Sequence, residues 1–563
     1  MKRQWILGLC VGATCLPPAL AGDWPQFRGP DNAGVSAETR LPVEWGAEKN
    51  VAWKVKVPGY GWSSPIVWGD KVFVTTAVSD KQPPPQGFPG PGGSGGAPPA
   101  APLLAPETAA RLKLTDEQKE QVRKLQKDFA GKQGPMARAF EALTKAQADP
   151  DPDAMSRAGE KLRQAFQAGE KLRRDYEAKL RDLLDDGQKK TFDRARRAQA
   201  GAIPGMGPPP KPPDTVYRWE VYCLDAADGK VLWKRVAARH KPNRPIQPSN
   251  TYASETPVTD GEGIYASFGM AGLYCYDLAG KLLWNKNLGS YPMMGGWGTG
   301  SSPALDGDRL FVQCDNEKKS FLVALDKKTG DELWRVGRDE KSSWCTPFVW
   351  RNKARTEVVA CGARRVRSYD PATGRLLWEL GGTTGGMATA NATPVAGGGL
   401  LYASSGASFG TNPLFAVRPG ASGDLTVKQG ETPNTGVAWS RTRGGPVMAS
   451  PLLYGGHVYI LDQSGGLLSC YDAQTGKPVY RERLPGAHGF TASPWAYAGK
   501  VFCLDGDGQT FVVRAGPKFK VLGKNSVGEM CWATPAVANG ALFLRCRDHL
   551  YCIRRPAEEG AKP

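Results

Sequence analysis

The sequence predicts an all-β chain: an eight-bladed β-propeller of four-stranded antiparallel blades, its ring closed by the N-terminal strand and interrupted by an inserted helical hairpin segment. Three observations lead there. A Pro-led unit recurs eight times. The cleanest unit resolves into four short strands separated by turn residues. A charged, Pro/Gly-flanked stretch of helical period breaks into the first unit. With 563 residues the chain is too long for one ordinary core, so a repeat array or several domains are expected.

The repeat decides the fold class. A small residue or two, then Pro, then an apolar strand recurs at Pro65, Pro257, Pro303, Pro347, Pro394, Pro451, Pro494 and Pro535, about 41 to 57 residues apart away from the insertion. Ser301 to Trp334 is the cleanest copy. Its first strand follows Pro303, where a missing ladder donor does no harm. Gly307-Asp308 turns the chain, since Gly accepts positive φ. Strands Leu310–Gln313 and Phe321–Leu325 follow, and Lys328–Gly330 turns into a fourth strand ending at Trp334. Four strands per unit is the blade of a propeller, and stacking blades around an axis covers the faces that one sheet leaves bare.

The last unit, Ala533 to Arg554, has three strands only. The missing fourth is expected at the other end of the chain. VAWKVKV, Val51 to Val57, carries a fourth-strand tryptophan at Trp53 and precedes the first Pro unit. Its pairing with the last blade would leave fewer open edges. The resulting division is 1–21 signal peptide, 22–82 leader, closing strand and start of blade 1, 83–213 helical insertion, 214–555 remainder of the propeller, and 556–563 disordered tail.

The signal peptide rests on Lys2 and Arg3, an apolar run from Trp5 to Leu16, and Ala19-Leu20-Ala21 before Gly22. The run is too short to span a bilayer. Export directs the net charge of +18 away from nucleic acid and allows a weak membrane-surface association. Ten cysteines remain after cleavage. Cys223, Cys275, Cys470 and Cys552 fall at equivalent repeat positions, too far apart to bridge, and are expected as buried free thiols. The sequence has no CxxC pair and four histidines, so no metal site is expected.

The insertion lies between two Pro/Gly-rich linkers beginning at Pro83 and Gly201. Helices are expected over Leu114–Phe129, about 153–184 and about 186–198. Thr115 with Gln118 forms a capping-box pattern. Flanked by the second and third strands of blade 1, the insertion occupies a loop, where added length costs little.

Here a family resemblance becomes specific. Ala324 to Trp334, ALDKKTGDELW, resembles the tryptophan-docking motif A-x-D-x-x-T-G-x-x-x-W of pyrroloquinoline-quinone-like repeat propellers. SYDPATGRLLW, CLDAADGKVLW, CYDAQTGKPVY and the shorter CYDLAGKLLW are variants. The resemblance implies that Trp53, Trp233, Trp284, Trp334 and Trp378 are structural docking residues. DWPQFRGPDNAGVS, Asp23 to Ser36, resembles a leader of exported, non-enzymatic relatives; it is expected to pack on the ring, with Asp23 and Arg28 paired. LTDEQ resembles the LTxxQ motif of small periplasmic helical proteins, and LLDDGQ a second copy with its Leu-Thr lost.

The residues just before each repeat Pro would converge on the channel mouth. Trp62, Glu255, Trp344, Asn391 and Trp532 are the ligand-binding candidates, as stacking platforms beside one acid. No catalytic residue is assigned. No HExxH or P-loop pattern occurs. Quinoprotein dehydrogenases of the resembling family hold pyrroloquinoline quinone with calcium, and Glu255 and Asn391 are the two residues here with suitable oxygens. The vicinal cysteine pair of alcohol-oxidising members is missing. No cofactor is therefore expected. The resemblance favours a non-catalytic binding or assembly scaffold of the periplasm or cell envelope, with protein partners there. A quinoprotein dehydrogenase and a carbohydrate- or peptide-binding propeller are the alternatives.

Overall fold

Eight blades of four antiparallel strands stand where the Pro-led units predict them, and in blade 4 a short fifth strand, Gly423–Asp424, adds parallel to the outer edge. They are seen in a computed structural model that describes residues 22–38, 40–87, 103–104, 106–148, 154–198, 210–381, 387–405, 407–408, 412–426, 435–463 and 465–556. The expected signal peptide and residues 557–563 of the expected tail lie outside the described residues.

Blade 3 shows the plan: Ala304–Asp306, Arg309–Cys314, Ser320–Asp326 and Glu332–Arg338 pair in that order. In blade 3 the third strand is buried along all but its last residue, while the fourth is mostly exposed or half-buried. In blade 8 the fourth strand is Val51–Lys56, paired antiparallel with His549–Arg554 through Trp53 opposite Cys552 and Val55 opposite Leu550. The ring is thus closed by main-chain hydrogen bonds between the two ends of the described propeller. The leader adds a second clasp. Trp24 bridges Val67 of blade 1, and Val35 bridges Ala496 of blade 7. Asp23 and Arg28 do not pair. Asp23 Oδ1 accepts from the Gly69 N–H at 2.8 Å, and the buried Arg28 guanidinium donates to the Ala33 and Pro451 carbonyls. Each is held by main-chain partners instead.

Four of the seams between blades follow one rule. Trp53, Trp233, Trp284 and Trp334 each donate the indole N–H to a main-chain carbonyl of the next blade, at Ala226, Leu278, Lys327 and Pro371, over 2.9 to 3.1 Å. The indole lies on the glycine of the receiving turn. At Gly330, φ is +76°, and a Cβ there would stand 2.7 Å from the Trp284 ring. Gly is needed for the turn and for the close approach together. Trp378 departs from the rule. Its N–H donates within its own blade, to Oε2 of the buried Glu357 at 2.7 Å. Blade 5 has no tight turn to receive it: its third strand ends at Val417 and its fourth begins at Val437. Trp439, which the repeat motif does not single out, docks instead from blade 5 onto Ala473 O and Gly476 of blade 6.

The insertion enters between Lys71–Val78 and Tyr217–Asp225 of blade 1. It comprises α1 (Pro106–Leu112), α2 (Asp116–Gly131), α3 (Gly134–Ala148), α4 (Ala154–Asp182) and α5 (Asp186–Ala198). The expected stretches are α2, α4 and α5. In α3, Gly134-Pro135 starts a helix instead of breaking one, as a Pro in the first turn can. Helices α1, α2, α4 and α5 share an apolar core of their own, including Val122, Phe129, Tyr176, Leu180 and Phe192. The capping box at Thr115 and Gln118 is formed. Its counterpart is Asp185 with Gln188, each bonding the other's main chain. Leu184 therefore keeps the place of Leu114, and the second copy has exchanged only Thr for Asp. The two motif glutamines also bond each other, Gln118 Nε2 to Gln188 Oε1 at 2.8 Å, joining the start of α2 to the start of α5.

Cys531 and Cys546 of blade 8 form a disulfide. Cys223, Cys275, Cys470 and Cys552 are buried free thiols, and burial pushes the first three up to about 12. Among the described residues no helix is long and apolar enough to cross a membrane.

Candidate functional site

In an antiparallel four-stranded blade, the second-to-third loops and the connections into the next blade emerge on one face. The residues before each repeat Pro and the insertion share that face. Each Pro is itself preceded by Ser or Thr, and these residues build a belt around the axis. The main-chain N–H of Ser64 donates to Thr256 Oγ1 at 3.0 Å, that of Thr256 to Ser302 Oγ at 2.9 Å, and that of Ser302 to Thr346 Oγ1 at 3.1 Å. The same step joins Thr393 to Ser450, Ser450 to Ser493 and Ser493 to Thr534. All these residues are buried. Losing one acceptor would strand a buried donor at a cost of about 1–3 kcal/mol. At the blade 4–5 seam the N–H groups of Trp344 and Cys345 go instead to Ala390 O.

The candidates one and two places further back are engaged in the same seams. Trp62 donates to Ser249 O at 2.8 Å and stacks on Trp532, ring centroids 5.5 Å apart. Trp532 donates to Gly506 O, and Trp344 to Gly298 O at 2.7 Å while leaning on Trp297. Asn391 Nδ2 donates to Val447 O at 2.8 Å, across the blade 5–6 seam. The structure thus brings Trp62 and Trp532 together and leaves Trp344 and Asn391 in separate seams.

Glu255 is different. It is 2% exposed and lines a cavity of about 550 Å³ between blades 2 and 3. Burial pushes its carboxyl up to about 7, against the Thr299 hydroxyl and nearby main-chain N–H groups, which favour the charged form. Its Oε1 has no hydrogen-bond partner. Gly269, at φ +52°, makes the arrangement possible: a Cβ there would lie 2.2 Å from Thr299 Oγ1 and 3.2 Å from Glu255 Oε1. On the far wall, Asp315 is held by Arg338 in a two-bond pair at 2.8 and 3.1 Å, with Gln313 and Ser343 also donating. Met270, Leu288, Tyr291 and Met293 supply apolar walls, and Pro210 and Pro212 of the segment returning from the insertion also line the cavity. Asn391 is not among the lining residues. Glu255 and Asn391 are therefore not brought together in this cavity. Among the described residues, no group of three or more His, Cys, Asp or Glu side chains is placed to hold a metal ion.

Sequence reasoning missed the cavity because its walls come from three blades and a linker. The belt had a visible signal, Ser or Thr before every repeat Pro, that marks a shared role beyond small size.

Comparison with known proteins agrees with the repeat. The family model described as outer membrane protein assembly factor BamB matches residues 218–464 and 421–515, and that of the LTXXQ motif family protein matches residues 105–196. No curated protein matches the chain. Among solved structures, BamB from Moraxella catarrhalis is 12% identical, with 62% of this chain and 92% of that chain covered and a TM-score of 0.42. The C-terminal WD40 domain of Sif2 is 10% identical, with 61% and 93% covered and a TM-score of 0.38. A europium-containing methanol dehydrogenase is 12% identical, with 53% and 80% covered and a TM-score of 0.28. The matched span of the first family model exceeds half of the sequence, and the chain belongs to the family of the outer membrane protein assembly factor BamB.

Proposed function

We propose that this protein is an exported, non-catalytic binding and assembly scaffold of the periplasm or cell envelope. What supports the reading most is the engagement of Trp62, Trp344, Asn391 and Trp532 in the seams of the ring. Side chains whose polar atoms already bond the main chain hold a platform rigid and offer little to a reacting substrate. The family adds a second support, since its described member is an assembly factor of the outer membrane. The helical insertion supplies a further contact surface on the face where the blade-to-blade connections emerge. Proteins of the envelope are the expected partners.

The test is site-specific photo-crosslinking in cells, with the probe placed on that face at Lys318 and on α4 at Lys161. Discrete crosslinked envelope proteins, lost when residues 83–213 are replaced by a short linker or when the face is mutated, are the expected result. Turnover of alcohols or sugars by the purified protein in a dye-linked assay with pyrroloquinoline quinone and calcium would overturn the reading.

A further inference from the structure

The cavity between blades 2 and 3 has a chemistry that the scaffold role does not use. Two buried acceptors among its lining residues are left without partners, Glu255 Oε1 and Gln313 Oε1. The orientation of the Gln313 amide is settled by its other end. Its Nε2 donates to Asp315 Oδ2 at 2.7 Å and to Cys361 O at 2.7 Å, with Ser343 Oγ at 3.0 Å, so its oxygen has to be the atom left over. Native proteins rarely bury an acceptor without a donor, and each such atom asks for a missing partner. Once Glu255 is ionised, a partner for both must donate hydrogen bonds. Asp315 needs nothing more, because Arg338 already neutralises it.

The rest of the lining narrows the class. Leu288, Tyr291, Pro292, Met270 and Met293 form apolar walls. A volume of about 550 Å³ suits a small organic molecule. A sugar would need many polar partners, and a metal ion more oxygen ligands than Glu255 and Gln313 provide. An anion would meet two acceptors and no free donor at the floor. What remains is a cationic head that donates hydrogen bonds, carried on an apolar body.

We propose that this cavity binds small amphipathic amines, with the protonated amine on the Glu255 carboxylate and the Gln313 amide oxygen, and the apolar body against Met270, Leu288, Tyr291 and Met293. Binding then converts a buried, protonated acid into a paired carboxylate. The other ionisable groups on the walls are Arg244, Tyr291, Cys314, Asp315, Glu317 and Lys318, with no histidine among them. Arg244 bonds Ser290, Glu317 bonds Ser342, and burial pushes the Cys314 thiol up to about 12. Glu255 is left as the group that changes charge near neutrality.

The probes are 2-phenylethylamine, the neutral 2-phenylethanol and the anionic phenylacetate, titrated calorimetrically into the full-length protein. At pH 8 the amine is expected to saturate one site, at least tenfold tighter than the alcohol, with the acid weaker still. Glu255→Gln should weaken the amine at least tenfold and leave the alcohol within twofold. The unmodified protein offers a second readout. At pH 6, titrations in buffers of different ionisation enthalpy should show release of close to one proton per amine bound, falling toward none at pH 8.5. Equal binding of the three probes, binding of none, unchanged affinity in a folded Glu255→Gln protein, or no proton release at pH 6 would each overturn the proposal.

Discussion

The seam between blades 2 and 3 and the seam between blades 4 and 5 begin alike and end differently. Each starts from a Leu-Leu-Trp fourth strand, ending at Trp284 in one and Trp378 in the other. Trp284 crosses to Lys327 O and lies on Gly330. Trp378 stays at home on Glu357, a buried carboxylate that Ser368 also supports at 2.6 Å. The donors are the same, so the difference lies in the receiver. Blade 3 presents a tight Lys-Thr-Gly turn. Blade 5 presents a long connection whose Gly423–Asp424 instead pairs parallel with Trp378–Glu379. Docking is therefore a property of two blades, and a motif scan that sees one strand at a time sees half of it.

The largest effect should come from breaking the receiving turn. Gly330→Ala puts a side chain at φ +76° and drives it into the Trp284 ring. The left-handed backbone costs about 1–2 kcal/mol and the overpacking about 1–3. A loss of about 2–5 kcal/mol is expected in chemical denaturation. Gly423→Ala has nearly the same backbone, φ +75°, with open space around it, and should cost about 1–2 kcal/mol. Equal losses would show that the indole plays no part.

The next effect carries the opposite sign and lies in the well-docked seam. Glu255 holds its proton up to about pH 7 in the native state, from an ordinary 4.5. Between those values the native chain binds the proton that the unfolded chain has released, so stability falls as pH rises through the window. Above it, the buried charge costs up to about 3 kcal/mol, at 1.36 kcal/mol per pKa unit. Glu255→Gln should stabilise the protein by about 2 kcal/mol at pH 8 and leave it unchanged at pH 4. The same gain at both values would contradict the assignment.

The smallest contrast concerns the belt. Thr256→Val removes the acceptor for the Ser64 N–H and should cost about 2 kcal/mol. Thr393→Val sits at the seam where Trp344 and Cys345 have turned to Ala390, and should cost less than about 1 kcal/mol. Paired thermal unfolding of the two variants decides it, and equal shifts would remove the distinction between the seams.

Much of the ring was legible in the sequence for a physical reason. A blade must begin where no ladder donor is needed, so its Pro is visible, and it must turn where Gly is required, so its count is visible. The closing strand was legible because Trp53 has the fourth-strand signature without the three strands before it. The capping box of α2 was legible because capping is local. Trp439 was not, because the long connection before it destroys the turn spacing that the motif relies on. The disulfide was not, because Cys531 and Cys546 meet only once blade 8 has folded. The candidate site was the least legible part. Five residues were nominated by position along the repeat, and position does not tell whether an indole N–H finds a carbonyl in the next segment. For Trp62, Trp344 and Trp532 it does. Glu255 was nominated as the one acid of the channel mouth, and its orphan oxygen needed coordinates to be seen.

The central claim is that the channel-mouth residues hold the ring together and do not build a quinone site. The most direct measurement is calorimetric titration of pyrroloquinoline quinone into the full-length protein with calcium, beside Glu255→Ala and Asn391→Ala. No saturable binding in any of the three is the expected result. Tight binding by the unmodified protein, abolished in both variants, would contradict the claim.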